Sequence, residues 1–235
     1  MKTLIVLFQL LPLLAWADVQ TRISRIYEIG KLHDSPLFVQ TTEIQTTGLG
    51  DFISNAKIEN SSGKVVMTEK VVVQGGSLIS QFVEQLQSME AWELRVDGNK
   101  AIFKTYKITE SGRRDEGGKT EIVKSFINGP LMENFITKHW GELIAGKTVS
   151  TAFSVLELER TVDFKFEKTT EDERLGKRVM VVKMKPSNFF ISMLVDPMFL
   201  EFDIATKKMV YFKGRTPLKI LKSGAWQPLD AEILY

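Results

Sequence analysis

From Asp18 onward, hydrophobic and polar positions alternate with a period of two. Phe52, Ser54, Ala56 and Ile58 alternate with Ile53, Asn55 and Lys57. Val162, Phe164 and Phe166 alternate with Asp163, Lys165 and Glu167, and Leu200, Phe202 and Ile204 with Glu201 and Asp203. Successive strand residues point to opposite faces, so this pattern predicts strands with one buried and one wet face. Residues 64–73 and 178–185 are apolar on both faces for part of their length, which predicts central or covered strands.

Turn chemistry separates these runs. Asn60-Ser61-Ser62-Gly63, Asp97-Gly98-Asn99 and Ala205-Thr206-Lys207 are short links, and short links make antiparallel neighbours. A large antiparallel meander is therefore expected. Helical spacing is rarer. Leu78, Ile79, Phe82, Val83, Leu86 and Met89 after Ser77 fit one helical stripe with an N-cap. A second helix is predicted after Asn128-Gly129-Pro130, with Leu131, Phe135, Ile136, Trp140, Leu143 and Ile144 on its apolar face. It ends at Gly146, or earlier at Gly141. A third is predicted from Ser187 to Val195, stopped by Asp196-Pro197. Residues 111–118 and 169–176 are charged and are predicted as mobile loops.

Composition narrows the class. The hydrophobic fraction is 43%, the charged fraction 26% and the net charge +2 over 235 residues. Such a balance supports one good core and supplies no field to steer nucleic acid. There is no cysteine, which excludes disulfides, thiolate metal sites and cysteine nucleophiles. Residues 1–17 carry Lys2, an apolar run to Leu14 and Ala15-Trp16-Ala17, the pattern of a cleaved secretory signal. The run is shorter than the ~20 residues a membrane span needs, so no span is expected in the mature chain. An exported chain without disulfides points to the bacterial periplasm, with eukaryotic secretion as the alternative. Residues 18–235 are expected to form a single antiparallel-sheet domain.

The stock of catalytic groups is thin. His33 and His139 have no ligand spacing around them. There is no Gly-x-Ser-x-Gly elbow, Walker loop or dinucleotide fingerprint. Gly75-Gly76-Ser77 offers backbone N–H groups at a turn, but a turn with a cap explains it equally. The acidic pairs Glu157/Glu159 and Asp172/Glu173 fit solvated faces. The expectation is a protein without enzymatic activity, cofactor or metal. Residues 188–200 are the exception to this blandness, because they concentrate Phe, Met and Leu. Phe189, Phe190, Met193, Leu194 and Phe199, with Trp140 as a rim residue, are candidate contacts for a hydrophobic ligand. A helix plugging one face of the sheet is the other reading of the same residues.

The carboxy-terminal order is strand 178–185, apolar 189–195, Asp196-Pro197, strand 198–204, turn Lys207-Lys208, strand 209–212, then Gly214. It resembles the bacterial lipoprotein-carrier fold and related periplasmic domains. The resemblance implies a curved half-barrel of mainly β, α+β class, covered by two or three helices, with a concave apolar face that holds acyl chains. It covers less than a quarter of the chain and carries over no functional residue. Without an N-terminal lipidation cysteine, the anchored form of that family is excluded. Two functions follow as expectations: binding or carrying a lipid or other hydrophobic molecule, or acting as an interaction and assembly factor for another envelope protein.

Overall fold

The computed structural model describes residues 18–188 and 196–235. Among them, two meanders share one sheet, whose strand pairs are antiparallel except for Phe126–Ile127, which runs parallel beside Ala152–Phe153. The first comprises β1 (Asp18–Glu28), β2 (Phe38–Gly48), β3 (Asp51–Asn60), β4 (Val65–Gln74), β5 (Ser77–Gln85), β6 (Glu90–Asp97), β7 (Lys100–Thr109) and β8 (Gly112–Ile122). The second begins with the two-residue β9 (Phe126–Ile127). Then come α1 (Gly129–Lys138), α2 (Trp140–Ile144), β10 (Val149–Val155) and β11 (Arg160–Arg174). It continues with β12 (Lys177–Pro186), β13 (Met198–Asp203), β14 (Met209–Lys222) and β15 (Ala225–Leu234). The strand order runs from β8 down to β1, then from β15 down to β9. The seam is the antiparallel β1–β15 pair, with Arg25 opposite Leu234 and Glu28 opposite Ala231. The mainly β, curved-sheet class expected from the periodicity is the class observed.

The turns form as their residues dictate. Asn60 Oδ1 accepts from Ser62 N at 3.1 Å and Lys64 N at 3.0 Å, closing the β3–β4 hairpin with Gly63 at φ +78°. Three expectations are corrected. Residues 77–85 form a strand, β5, and not a helix: Leu78 and Val83 face inward, while Ile79 and Phe82 face outward. The charged segment 111–118 lies in the edge strand β8, paired with β7 from Thr109↔Gly112 to Lys100↔Ile122. Residues 169–174 extend β11, leaving only a tight turn before β12. Helix α1 starts where expected, with buried Asn128 accepting from Leu131 N at 3.1 Å. A break at His139 splits the predicted helix two residues before Gly141, and α2 runs through Gly141 and ends just before Gly146, the predicted terminator, at φ +76°. The helix predicted from Ser187 to Val195 lies almost wholly outside the described residues.

The sheet curls until its two halves touch. Lys219 Nζ of β14 meets Glu90 Oε2 of β6 at 2.6 Å, and Gln85 of β5 donates to the Pro217 carbonyl of β14. Near the edges, Thr161 N of β11 donates to Glu121 Oε2 of β8 at 2.7 Å. Both helices pack against the concave face of the second meander. Phe135 stacks on Phe166 with ring centroids 5.2 Å apart, and Trp140 meets Phe202 edge-on at 6.3 Å. Phe166, Met180, Leu200 and Phe202 are fully buried beneath them, with Ile136 and Leu143. Burying side chains of this size stabilises by about 1.5–3 kcal/mol each before entropy is counted.

Candidate ligand-binding site

On the concave face of β1–β5, half-exposed side chains stand beside buried ones. Register places its side chains in rows. Arg22, Thr42, Ala56, Glu69 and Val83 lie side by side across β1 to β5. The next row is Gln20, Ile44, Ser54, Val71 and Gln81, followed by Asp18, Thr46, Phe52, Val73 and Leu78. Within these rows Ala56, Ser54, Val71, Val73, Leu78, Gln81 and Val83 are buried, whereas Arg22, Thr42, Ile44, Phe52 and Glu69 are half-exposed. The result is a cradle with an apolar floor, an acid on one side and a guanidinium on the other.

Each flank is held differently. Arg22 Nη1 lies 3.3 Å from Glu133 Oε2 of α1, its Nη2 donates to the Met209 carbonyl, and its guanidinium sits 4.3 Å above the Tyr235 ring. Glu133 also accepts from Lys208 Nζ at 2.9 Å and Met209 N at 3.0 Å. Burial pushes the Glu133 carboxyl up, but these donors outweigh it, and its pKa falls below the usual carboxylate range. Burial pushes the Tyr235 phenol up to about 12, with Arg22 pulling down and Glu133 and Glu69 pushing up. Tyr235 follows β15, which lies four strand steps from β4.

Glu69 is the unusual member. Gln81 Nε2 donates to its Oε1 at 2.7 Å, and no cationic nitrogen pairs with it among the described residues. Burial raises its pKa against the smaller opposing effect of Gln81. Polar atoms on this face are also unsatisfied: Gln81 Oε1 and Gln85 Oε1 on β5, and Ser24 Oγ on β1, are buried without a partner. Ser24 is 1% exposed and Gln81 6%. A buried polar group without a partner costs about 1–3 kcal/mol, so such groups mark places where a ligand or water completes the bonding.

Of the ligand contacts expected from sequence, Trp140 and Phe199 are among the described residues. Phe189, Phe190, Met193 and Leu194 lie outside the described residues. Phe199 pairs with Lys183 and Lys213, on the face opposite Leu200, and so stands on the convex side. Trp140 lies between Phe202 and Lys207 Nζ, 5.7 Å from its ring centre, as a partly buried part of the core. The structure does not bring Trp140 and Phe199 together. His33 sits in an exposed turn, and His139 Nδ1 lies 2.7 Å from Glu142 Oε1. Among the described residues no Ser hydroxyl hydrogen-bonds to that pair, and no group of three His, Asp or Glu could hold a metal. A groove of about 340 Å³ on the convex face is lined in part by Lys70, Phe82, Glu93 and Arg95. The cradle was missed because its polar members sit singly among strand residues. The available signal was Gln81 and Gln85, four residues apart on one side of an otherwise apolar run.

These features define a mainly β protein built on one curled antiparallel sheet, with helices filling one half of its concavity. No protein family and no curated protein matches the chain in sequence. Among solved structures it is similar to a β-barrel-like protein of domain of unknown function DUF1849 from Brucella abortus. That match has 7% identity and a TM-score of 0.39, and covers 92% of this chain and 94% of the other. It is also similar to a DUF1329 family protein from Desulfovibrio piger, at 10% identity and a TM-score of 0.33, over 94% of this chain and 84% of that one. Among the described residues no helix is long and apolar enough to cross a membrane.

Proposed function

We propose that this chain is a non-enzymatic binding protein, exported to the bacterial periplasm, that holds an amphiphilic molecule in the β1–β4 cradle. The observation that carries the reading is the concave face itself. Half-exposed Ile44 and Phe52 adjoin half-exposed Arg22, Thr42 and Glu69, with a buried floor of Ala56, Ser54 and Val71. Ile44 and Phe52 offer apolar contact to a chain, and Arg22, Thr42 and Glu69 offer polar groups to a head. The leader at residues 1–17 and the carboxy-terminal resemblance to the lipoprotein-carrier fold point the same way. The test is displacement of the fluorescent probe N-phenyl-1-naphthylamine from the purified protein. Ile44→Asp and Phe52→Asp are expected to weaken probe binding at least tenfold, and unchanged binding in both variants would sink the cradle as the seat.

A second reading has one observation in its favour. The edge strand β8 leaves one side of its backbone largely unpaired and presents Arg113, Arg114 and Lys119 to solvent. An envelope partner adding a strand there would make the chain an assembly factor. Crosslinking in cells tests it: partners that persist after Arg113 and Arg114 are both replaced by Ala rule that edge out.

A further inference from the structure

The cradle's polar end is richer in acceptors than in donors. Glu69 receives one hydrogen bond, from Gln81 Nε2 at 2.7 Å, and its other oxygen has no donor among the described residues. Gln81 is 6% exposed, and its amide oxygen is buried without a partner beside that carboxylate. The register sets both side chains on the concave face, diagonal to each other across β4 and β5. A carboxylate partly withdrawn from water in this way is stabilised as an ion by a group that brings positive charge and N–H donors. The chain does not supply it. Arg22, three strands away in the sheet order, makes its ion pair with Glu133 and not with Glu69.

We propose that Glu69 and Gln81 seat a primary ammonium head group, so that the molecule held in the cradle is a cationic amphiphile. The ammonium has three donors and no acceptor, which complements the Glu69 carboxylate and the Gln81 amide oxygen. Its alkyl chain then runs toward the half-exposed Ile44 and Phe52. Those residues lie one and two rows from Glu69, or roughly 7 and 14 Å along the strands. Arg22, on the far flank, disfavours a second cation and leaves the acid side as the head-group end. This inference rests on the amphiphile reading and sharpens it to one head-group chemistry.

The test compares three probes sharing a dodecyl chain, dodecylammonium, dodecanoate and dodecyl maltoside, each titrated below its micelle concentration into the full chain. Dodecylammonium is expected to bind at least tenfold tighter than the other two. Glu69→Gln, which keeps the size of the side chain, is expected to abolish that preference by weakening dodecylammonium binding at least tenfold. The wild-type comparison needs no variant to fold. If dodecyl maltoside or dodecanoate binds as tightly as the ammonium, the head-group assignment is overturned and the amphiphile cradle stands. If none of the three binds, both readings fall together.

Discussion

Glu69 has a stability cost whose sign is opposite to that of most carboxylates. Its pKa is raised in the folded protein, so between the ordinary value of 4.5 and that raised value the folded state holds more protons than the unfolded one. Stability therefore falls as pH rises through that window and is then level. Glu69→Gln removes the titration. Urea denaturation at pH 4 and pH 8 is expected to show the variant gaining on wild type as pH rises, and equal offsets at both values would refute burial of the acid. Glu133 works the other way: its lowered pKa gives stability present above 4.5 and lost as pH falls through the folded value. On the convex face, Glu201 is 7% exposed and takes two hydrogen bonds from Arg174, whose guanidinium lies 3.9 Å from the Tyr211 ring. Glu201→Ala strips that guanidinium of its acceptor. A loss of roughly 2–3 kcal/mol is expected in chemical denaturation, the scale of hydrogen bonds to charged groups.

At the scale of elements, α1 matters because it carries Glu133 to Arg22. Its start depends on Asn128, fully buried, with Oδ1 capping Leu131 N. Asn128→Ala is expected to cost about 1 kcal/mol, the usual value of an N-cap, and to raise amide exchange in residues 129–133 above that elsewhere in the helix. This helix was legible in the sequence because capping, proline in the first turn and apolar spacing all agreed. The hairpins were legible for a similar reason, since alternation and turn residues agreed at Asn60-Ser61-Ser62-Gly63 and Asp97-Gly98-Asn99. Strand β5 was not. Gln81 and Gln85 are polar yet face inward, Ile79 and Phe82 are apolar yet face outward, and a bulge opposite Val72 and Val73 shifts the phase. The summed pattern then mimics a helical stripe. The residues that hide the strand are those that line the cradle, so the element hardest to read is the one nearest the site. Strand β8 was hidden by its charges and glycines, which suit an exposed edge that must not pair with other chains. Gly118 has a packing reason to be there: a Cβ would lie 2.1 Å from the Phe103 carbonyl oxygen.

For the whole molecule, the decisive feature is the seam. Two meanders, one from each half of the chain, share a sheet only because β1 pairs with β15 over Arg25–Glu28 and Ala231–Leu234. Ile26 and Ile233 face each other across it, and both are buried. Period-two patterning gave the strands, but it carries no information on which distant strands meet. Closing so large a loop costs entropy that must be met before the seam returns any stability, which predicts slow folding. The contacts across the curl, Lys219 with Glu90 and Gln85 with Pro217, tie the halves a second time. The halves should therefore unfold together. Two probes separate the possibilities: Trp92 lies buried in the first meander, and Trp140 begins α2 in the second. In guanidinium, variants retaining only one of these tryptophans are expected to give superimposable transitions. Ile26→Ala should move both to lower denaturant together, at a cost of about 3 kcal/mol, typical of a buried large-to-small change. If Trp92 alone shifted, the seam would be a contact between two independent units. The cradle, with Glu69 on β4 at one flank and Tyr235 after β15 at the other, would then be divided between the two units.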